Sequence, residues 1–514
     1  MRNNRKDIPV AREKDRVSPP QTKTKTMDFR LPAWSQAAPP SSLSAVLCFP
    51  YHETGWQGKA RTIQHIQSAI RRLETKQPLL TCRVFRDARM GGTETRIRFL
   101  QDHTIPFSEL KVEHLGPYVP RCYRLLQARG FPQRLFVNDR VMAEQETRTE
   151  EDGWSNVLRI EYTFVEGGFL LWIHLHRTVA DEDCLGRVIN WLAAETQPRE
   201  LEADPGMAVN FLYPPLTTER NATSITARGM SAAHDLYPCP EYSLQVLPSP
   251  DIAGISTPYN GTTFDAEPCV GVIFVFETEK LRTLSTLIGR QVSPTATHIP
   301  LYTFLAATAW AHITRARFAQ ELGDGPIPPW SRAATIATPV CWRYRVLDPD
   351  AGDVHFGNTL AWPIATLPAE MVLGFDDPSR GQVPHVVQLM KAISTSVRSV
   401  DENFVESRTK FLEKAVEGGR GIGLTVFPDC ATDLVFGSWR FVGAEAKWDI
   451  PGVPVSRAER VRRVGPRFMA GEALILPERE GAGELELLVS LPRGSMQRLM
   501  MDRSWMGAVC RVVE

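Results

Sequence analysis

The chain has 514 residues, and its 59 lysines and arginines are balanced by 59 aspartates and glutamates, so its formal net charge at pH 7 is zero. This balance gives no general electrostatic attraction to nucleic acids or to an acidic membrane surface. A chain of this length exceeds one ordinary hydrophobic core and predicts two domains of roughly 200 to 250 residues each. We expect its partners to be small molecules, without nucleic acid.

The nine cysteines are spread along the chain without any Cys-x-x-Cys pair. Scattered cysteines in odd number are typical of reduced thiols packed inside an intracellular protein. The first residues contain no apolar leader, and no apolar run reaches the roughly 18 residues that a membrane span requires. These features predict a cytoplasmic protein with no membrane span, and we expect a monomer.

The N-terminal part of the chain predicts a tail followed by strands and helices. Residues 1–28 are charged, contain several prolines and lack apolar periodicity, which predicts a disordered tail. Residues 43–50 have strand character, and apolar residues spaced 3, 4, 3 along 60–73 predict an amphipathic helix packed on a sheet. The segments 156–165 and 169–176, joined by glycines, predict an antiparallel hairpin.

Apolar periodicity fades between residues 201 and 265, where Pro, Ser, Thr and Gly are frequent. A stretch of this length without an element is too long for a connection inside one domain, so we interpret it as a crossover linker. It divides a predicted N-terminal domain, 29–200, from a predicted C-terminal domain, 266–514. The elements of both predict an α/β fold with mixed, largely antiparallel sheets.

The C-terminal segment contains further predicted elements, which are strands at 269–276, 334–341, 434–436, 472–477 and 484–491 and helices at 300–318 and from 493. Its glycine-rich stretch 418–423 lacks the Lys-Ser/Thr pair of a phosphate-binding loop. We expect this stretch to be a flexible loop.

The segment from Gly167 to Asp181 carries the residues best suited to catalysis. Side chains alternate along a strand, so Trp172, His174 and His176 share one face, and the apolar residues between them share the other. Both faces are rich in apolar residues, which predicts a strand covered on both sides. His176 ends this strand and is a candidate general base. The alternative is that both histidines are hydrogen-bonded residues of a packed core.

A short polar turn and a helix follow the histidine strand. Apolar residues at helical spacing over 185–192 predict the helix, with Asp183 as its N-cap. The spacing of His174, His176 and Asp181 also occurs among metal ligands, but no other His, Asp or Glu cluster supplies the remaining ligands, so we expect no metal. The chain has no Gly-x-Ser-x-Gly motif, which argues against a serine hydrolase.

Several markers follow one another in a characteristic order after residue 28. They are Leu31-Pro-Ala-Trp-Ser-Gln36 before Phe49-Pro50, Gly167-Gly168 through Asp181, His355-Phe-Gly-Asn358, Asp433-Leu-Val-Phe-Gly-Ser-Trp-Arg440, and Ile475-Leu-Pro-Glu-Arg479. With these markers the chain resembles the acyl-CoA-dependent acyltransferases of the BAHD type, and most closely their trichothecene 3-O-acetyltransferase-like branch, known from fungal secondary metabolism.

The resemblance implies two chloramphenicol-acetyltransferase-like domains with an interdomain channel between them. In this family the histidine of an HxxxD motif removes a proton from the hydroxyl or amine of the acceptor as it attacks a thioester carbonyl. The aspartate of that motif is structural and turns toward an arginine. The resemblance implies no bound cofactor, since acyl-CoA or a carrier-bound acyl group is a co-substrate. A second motif, Asp-Phe-Gly-x-Gly, stiffens the second domain.

The chain departs from the first motif at two positions. Counting back from Asp181, the position of the family's catalytic histidine holds Arg177, which stays protonated and cannot act as a base. The position after Asp181 holds Glu182 instead of glycine. The remaining imidazole is His176, one residue earlier, and a shift of one residue reverses the side-chain direction on a regular strand. A bulge or twist at the strand end would let His176 reach the channel.

The second motif is also altered. Asp449 stands at its aspartate and Gly452 is retained, whereas Pro451 replaces the first glycine and removes a backbone donor. Candidate substrate-binding residues, some of them hydrogen-bond donors for a tetrahedral oxyanion, are His174, Thr178, Ser438 and Trp439.

Two functions fit these observations. The first is an acyltransferase that moves an acyl group from a CoA thioester to a secondary-metabolite acceptor, with His176 as general base and Asp181 in a structural role. The alternative is an atypical or pseudo-acyltransferase that binds a hydrophobic intermediate and promotes a cyclisation or condensation, or has no activity. Arg177 would then be an anchor, or a donor to a developing enolate or carbonyl oxygen.

Overall fold

The computed structural model describes residues 26–87, 94–112, 119–137, 153–198, 239–245, 268–292, 300–322, 333–374, 382–426 and 430–514. Its strands are β1 (Thr26–Arg30), β2 (Ser42–Pro50), β3 (Arg83–Asp87), β4 (Glu94–Leu100), β5 (Phe107–Glu109), β6 (Ser155–Asn156), β7 (Leu158–Val165), β8 (Gly168–His176), β9 (Tyr242–Gln245), β10 (Cys269–Glu277), β11 (Ala333–Ala337), β12 (Val340–Cys341), β13 (Leu360–Ala361), β14 (Ile364–Pro368), β15 (Gly421–Leu424), β16 (Asp433–Ser438), β17 (Arg460–Val464), β18 (Glu472–Ile475), β19 (Glu484–Pro492) and β20 (Val509–Val513).

The helices of the same residues are α1 (Ala33–Gln36), α2 (Gly55–Lys76), α3 (Tyr123–Ala128), α4 (Glu182–Thr196), α5 (Thr278–Val292), α6 (Leu301–Leu322), α7 (Arg343–Val346), α8 (Pro349–Val354), α9 (Ala369–Leu373), α10 (Gln382–Arg398), α11 (Glu402–Glu417), α12 (Arg493–Met501) and α13 (Arg503–Ala508). None of these helices is both long and apolar enough to cross a membrane.

Two larger sheets organise the described residues. One has five strands in the order β17-β2-β8-β7-β5, and the other has seven in the order β14-β11-β16-β18-β19-β10-β20. A four-stranded sheet, β1-β4-β3-β6, and the pairs β12-β13 and β15-β9 complete the pairing. Only β5–β7, β11–β16 and β16–β18 are parallel among these described strands. The predicted α/β fold with mixed, largely antiparallel sheets is confirmed.

β8 is the central strand of the five-stranded sheet. It pairs with β2 from Gly168 to His176 and with β7 from Gly168 to Leu175 without a shift in register. The apolar face that the alternation predicts joins the core formed with α2 and α4, while Trp172 packs in a second cluster with Tyr123 and Phe136. The prediction that β8 is covered on both sides is therefore confirmed.

One strand of the five-stranded sheet comes from the C-terminal segment. β17 pairs with β2, and the loop before β17 contributes Trp439, Trp448 and Ile450 to the same core as α2 and α4. Arg462 on β17 forms a buried ion pair with Glu486 on β19, its Nη1 lying 2.6 Å from Glu486 Oε2. The C-terminal segment thus completes the N-terminal sheet and connects it to the seven-stranded sheet.

Several expectations about the ends of elements need correction. Residues 26–28 are not a tail, because β1 begins at Thr26 and pairs with β4, while residues 1–25 lie outside the described residues. Most of the proposed linker also lies outside them, but Tyr242–Gln245 forms β9. The glycine-rich stretch is not simply a loop, since Gly421–Leu424 forms β15 against β9 through backbone hydrogen bonds.

Candidate functional site

The candidate site is the turn that joins β8 to α4. The strand ends at His176, and Asp181 is the N-cap of α4, accepting a hydrogen bond from the backbone N–H of Cys184 at 3.1 Å. A carboxylate oxygen in this place satisfies one of the free N–H groups of the first helical turn. The prediction of Asp183 as N-cap was wrong, because the helix begins two residues earlier, at Glu182.

Asp181 is buried and bound from the C-terminal segment. Its Oδ2 accepts hydrogen bonds from the backbone N–H of Thr359 at 2.8 Å and from the Thr359 hydroxyl at 2.7 Å, and Arg343 Nη2 lies 3.3 Å from both carboxylate oxygens. Burial alone would raise the pKa of Asp181, but Arg343 and the Thr359 hydrogen bonds outweigh it and hold that pKa below its ordinary value. This carboxylate is ionised and is fully engaged within the protein.

Residues near the His355–Asn358 marker hold the turn from the same side. Arg343 is fully buried and donates to the carbonyl oxygen of Gly357 at 2.9 Å. The Asn358 amide donates to the carbonyl oxygens of Arg177, at 2.9 Å, and Thr178, at 3.1 Å. The sequence analysis includes Asn358 only as part of a family marker, and it does not identify Arg343 or Thr359. No local pattern marks them, because they are 162 and 178 residues from Asp181.

His176 has one nitrogen bound and one open. Its Nδ1 lies 2.7 Å from the hydroxyl oxygen of Thr178. Its Nε2 has no hydrogen-bond partner in the part of the chain that the structure describes, and the residue as a whole is buried, with 7% of its surface exposed. Burial, and secondarily the charge of Arg86, lowers the pKa of His176 to about 4. The imidazole is therefore neutral near pH 7.

Arg177 contacts the first turn of α4. Its Nη2 lies 3.2 Å from Glu182 Oε1, and both side chains remain partly exposed. Since β8 keeps a regular register to His176, no bulge re-aims that histidine, contrary to one expectation. His176 therefore lies on the same face as Trp172, as strand alternation requires.

The other histidine of β8 lies in the core. His174 Nδ1 is 2.8 Å from the Ser44 hydroxyl, and His174 Nε2 is 3.2 Å from Glu161. This buried position does not support substrate binding by His174. Among the described residues, no three His, Cys, Asp or Glu side chains are grouped so that they could hold a metal ion.

The two substrate-binding candidates on and after β16 differ in exposure. Ser438 is exposed, and its hydroxyl oxygen lies 3.3 Å from the backbone N–H of Arg440. Trp439 is buried, and its ring belongs to the core beside α4. An indole in that core does not support a contact with substrate, because packing encloses it.

The second motif connects the C-terminal segment to the N-terminal sheet. Asp449 is exposed, and its backbone N–H donates to the Thr196 hydroxyl at 3.0 Å. The carbonyl of Pro451 accepts from Thr62 at 2.8 Å. Gly452 has φ +81°, and an added Cβ would lie 2.4 Å from a ring carbon of Tyr51. The retained glycine is thus required for this close approach.

Comparisons of the sequence with known proteins agree with these markers. Residues 43–195 match the family model described as the trichothecene 3-O-acetyltransferase-like N-terminal domain. The chain is 23% identical over 322 residues to trichothecene 8-O-acetyltransferase of Fusarium sporotrichioides. That match spans 62% of this chain and 62% of the length of the relative.

Solved structures with the same fold are more distant in sequence. TRI101 of F. graminearum, complexed with coenzyme A and T-2 mycotoxin, is 15% identical with a TM-score of 0.69, covering 95% of this chain and 100% of that one. Vinorine synthase is 15% identical with a TM-score of 0.58, covering 96% of this chain and 95% of that one. The resemblance to the trichothecene 3-O-acetyltransferase-like branch is confirmed over residues 43–195, and the chain has the mixed α/β fold of these solved structures.

Proposed function

We propose that this protein is an acyltransferase that moves an acyl group from a CoA thioester to a hydroxyl or amine of a small secondary-metabolite acceptor. The match to the trichothecene 3-O-acetyltransferase-like domain supports this reaction class, because residues 43–195 include the whole candidate turn. The presence of coenzyme A in the solved complexes of TRI101 supports acyl-CoA as co-substrate, with no bound cofactor. A carrier-bound acyl group is the alternative donor.

His176 is the proposed general base. The observation that carries this assignment is a neutral imidazole whose Nδ1 is held by Thr178 and whose Nε2 has no hydrogen-bond partner among the described residues. With the proton on Nδ1, the Nε2 lone pair takes the acceptor proton while the acceptor oxygen or nitrogen bonds to the thioester carbonyl carbon. Collapse of the tetrahedral intermediate breaks the C–S bond, and the imidazolium returns the proton to the leaving thiolate. A positioned base contributes roughly a hundredfold to ten-thousandfold in rate.

The surroundings of the turn have supporting roles in this proposal. Asp181 is structural in this proposal, since its hydrogen bonds among the described residues are to the helix start, to Thr359 and to the buried Arg343. The domains are proposed at 29–200 and 266–514, with the acyl donor and acceptor meeting in a channel between them. Ser438 is the proposed polar contact to substrate, while Thr178, which is buried with its hydroxyl on His176, is proposed to position that imidazole. We also propose a cytoplasmic monomer.

A second candidate function is an atypical acyltransferase-like protein without this base. It is favoured by the regular register of β8, which leaves His176 on the Trp172 face while Arg177 occupies the family's catalytic position. In this version Arg177 binds the intermediate of a cyclisation or condensation, and His176 is a hydrogen-bonded core residue.

The test is transfer by the purified protein. Wild type is incubated with acetyl-CoA and a panel of hydroxylated or amino acceptors, and release of free CoA is measured together with the mass of the product. We expect His176→Ala to lower turnover at least a hundredfold. The matched control is His65→Ala, which removes a half-buried imidazole bound to the carbonyl of Thr196 and leaves turnover within about twofold. Equal turnover in His176→Ala and wild type would overturn the assignment of the base.

A further inference from the structure

The two positions at which the chain departs from the HxxxD pattern contact each other. Arg177 stands where the family has its histidine and Glu182 where it has glycine, and their side chains form an ion pair at 3.2 Å. The Arg177 side chain is 21% exposed and that of Glu182 is 19% exposed. The two residues that differ from the family pattern therefore form an ion pair at the turn, and both side chains are partly accessible to a solute.

Arg177 has unused hydrogen-bonding capacity. A guanidinium carries five N–H donors, and in the described part of the chain the side chain of Arg177 makes only the hydrogen bond to Glu182. Because the side chain is 21% exposed, a solute can approach these donors, whose planar arrangement can bind two oxygens of one group.

Glu182 continues a row of alternating charges into the C-terminal segment. Arg463 on β17 forms an ion pair with Glu472 on β18, and these side chains are 25% and 22% exposed. Burial lowers the pKa of Arg463, but Glu472 and Glu182 outweigh it and raise the pKa. The order of charges is Arg177, Glu182, Arg463, Glu472. Glu182 and Arg463 each lie between two opposite charges of this row, whereas Arg177 is its cationic end.

We propose that Arg177 is the binding site for a carboxylate on the acceptor, so that the substrates of this protein are hydroxy- or amino-carboxylic acids. This inference rests on the proposed acyltransferase function, and it names the substrate class of that same site. A carboxylate presents two oxygens to the open N–H groups of Arg177 and completes the alternation of charge. The developing oxyanion of the tetrahedral intermediate has the same chemistry and is the other source of a negative oxygen.

The first experiment measures binding without an acyl donor. Benzoate and its uncharged isostere benzamide are titrated by calorimetry into wild type, Arg177→Gln and the control Arg61→Gln, which breaks an exposed ion pair of 3.0 Å with Glu53. We expect wild type and Arg61→Gln to bind benzoate at least tenfold more tightly than benzamide, and Arg177→Gln to lose that preference. Equal binding of both probes to wild type, or an equal loss in Arg61→Gln, would overturn the proposal.

The second experiment uses the competing carboxylate. Glu182→Gln removes the charge that occupies Arg177, so we expect benzoate to bind several-fold more tightly than to wild type. A purely structural ion pair predicts no gain, and unchanged or weaker binding in a folded Glu182→Gln variant would contradict the proposal.

A transfer assay distinguishes an acceptor carboxylate from the oxyanion as the group that Arg177 binds. It also tests the substrate class separately from the acyltransferase function. Matched acceptors, 4-hydroxybenzoate and its methyl ester, are compared with acetyl-CoA as donor. We expect Arg177→Gln to raise KM at least tenfold for the acid only. A loss of kcat for acid and ester alike assigns Arg177 to the oxyanion and overturns the carboxylate site. If wild type transfers the acyl group without favouring the acid, the acyltransferase function stands and the proposed substrate class is overturned. If benzoate binding depends on Arg177 but no transfer occurs, the carboxylate site is supported and the acyltransferase function is overturned.

Discussion

Asp181 and Thr359 are 178 residues apart in the chain, yet one carboxylate oxygen of Asp181 accepts hydrogen bonds from both the backbone N–H and the hydroxyl of Thr359. The N-cap of α4 is therefore bound by the segment after α8. The candidate turn keeps its shape only while this contact between distant parts of the chain persists.

Asp181→Asn is expected to destabilise the protein. Asparagine is an equally good N-cap, so the substitution removes the charge and leaves the buried Arg343 with Asp183 as its remaining acidic partner. Breaking a buried ion pair typically costs 3 to 5 kcal/mol, and because Asp183 remains we expect roughly 2 to 3 kcal/mol. The measurement is the free energy of unfolding in urea.

The control for this prediction is Asp28→Asn, which breaks the partly exposed ion pair with Arg98 and is expected to cost less than about 1 kcal/mol. Folding lowers the pKa of Asp181, so its carboxylate stabilises the fold above the ordinary value of 3.8, and this contribution is lost as the pH falls through and below that value. An Asp181→Asn variant as stable as wild type at pH 7 would contradict the structural role.

Arg462 and Glu486 give a second test of how the two larger sheets are held together. Glu486→Gln removes the charge opposite the fully buried Arg462, and we expect a loss of about 3 kcal/mol in the free energy of unfolding. Glu484→Gln is the matched control on the same strand, because its partner Arg511 is exposed. That change is expected to cost less than about 1 kcal/mol. Equal losses in both variants would show that burial of the Arg462 pair is unimportant.

Gly452→Ala tests the retained glycine of the second motif. The residue has φ +81°, and its new Cβ would meet the Tyr51 ring at 2.4 Å, so backbone strain and a clash combine. Gly481→Ala has a similar φ of +75° with nothing within 4 Å of the new Cβ, so it measures the backbone cost alone. We expect the melting temperature to fall distinctly further in Gly452→Ala, and equal shifts would rule out the Tyr51 contact as a constraint.

The site was only partly predictable from sequence, for physical reasons. Alternation along β8 correctly placed Trp172, His174 and His176 on one face, because the two-residue period of a strand is local. The origin of β17 was not predictable, since an apolar pattern does not say which sheet a strand joins. Likewise, Arg343 reaches Asp181 across 162 residues of sequence. The pairing of Arg177 with Glu182 could have been predicted from the sequence, because a residue in the first turn of a helix lies close to the turn that precedes the helix.

The pH dependence of transfer is a further prediction for His176. Burial lowers its pKa to about 4, so the imidazole is unprotonated from neutral pH down to that value. We expect the acid limb of kcat/KM to have an apparent pKa near 4 instead of near 6.5. The unfolded chain takes up this proton near pH 6.5 and the folded chain does not, so His176 lowers stability as pH falls from about 6.5 to 4. His176→Gln should lose less stability over that interval than wild type, and an acid limb near 6.5 would contradict the assignment.

Substitutions at 176 and 177 decide between the two functions, because the two side chains have different chemistry and different contacts, His176 with Thr178 and Arg177 with Glu182. If His176 is the base, the variant His176→Ala can no longer accept the proton in the transition state. Its kcat then falls at least a hundredfold, with little change in KM for the acceptor. Arg177→His places an imidazole at the family's catalytic position, opposite Glu182, and with an uncharged acceptor such as methyl 4-hydroxybenzoate it is then expected to preserve or raise transfer. If Arg177 serves a different reaction, Arg177→Ala abolishes that reaction and His176→Ala leaves it within a few-fold.

Steady-state kinetics of the single variants and of the double variant His176→Ala with Arg177→His distinguish these outcomes. Transfer restored in the double variant assigns the proton-accepting position to residue 177, whereas indifference to all three changes contradicts both mechanisms.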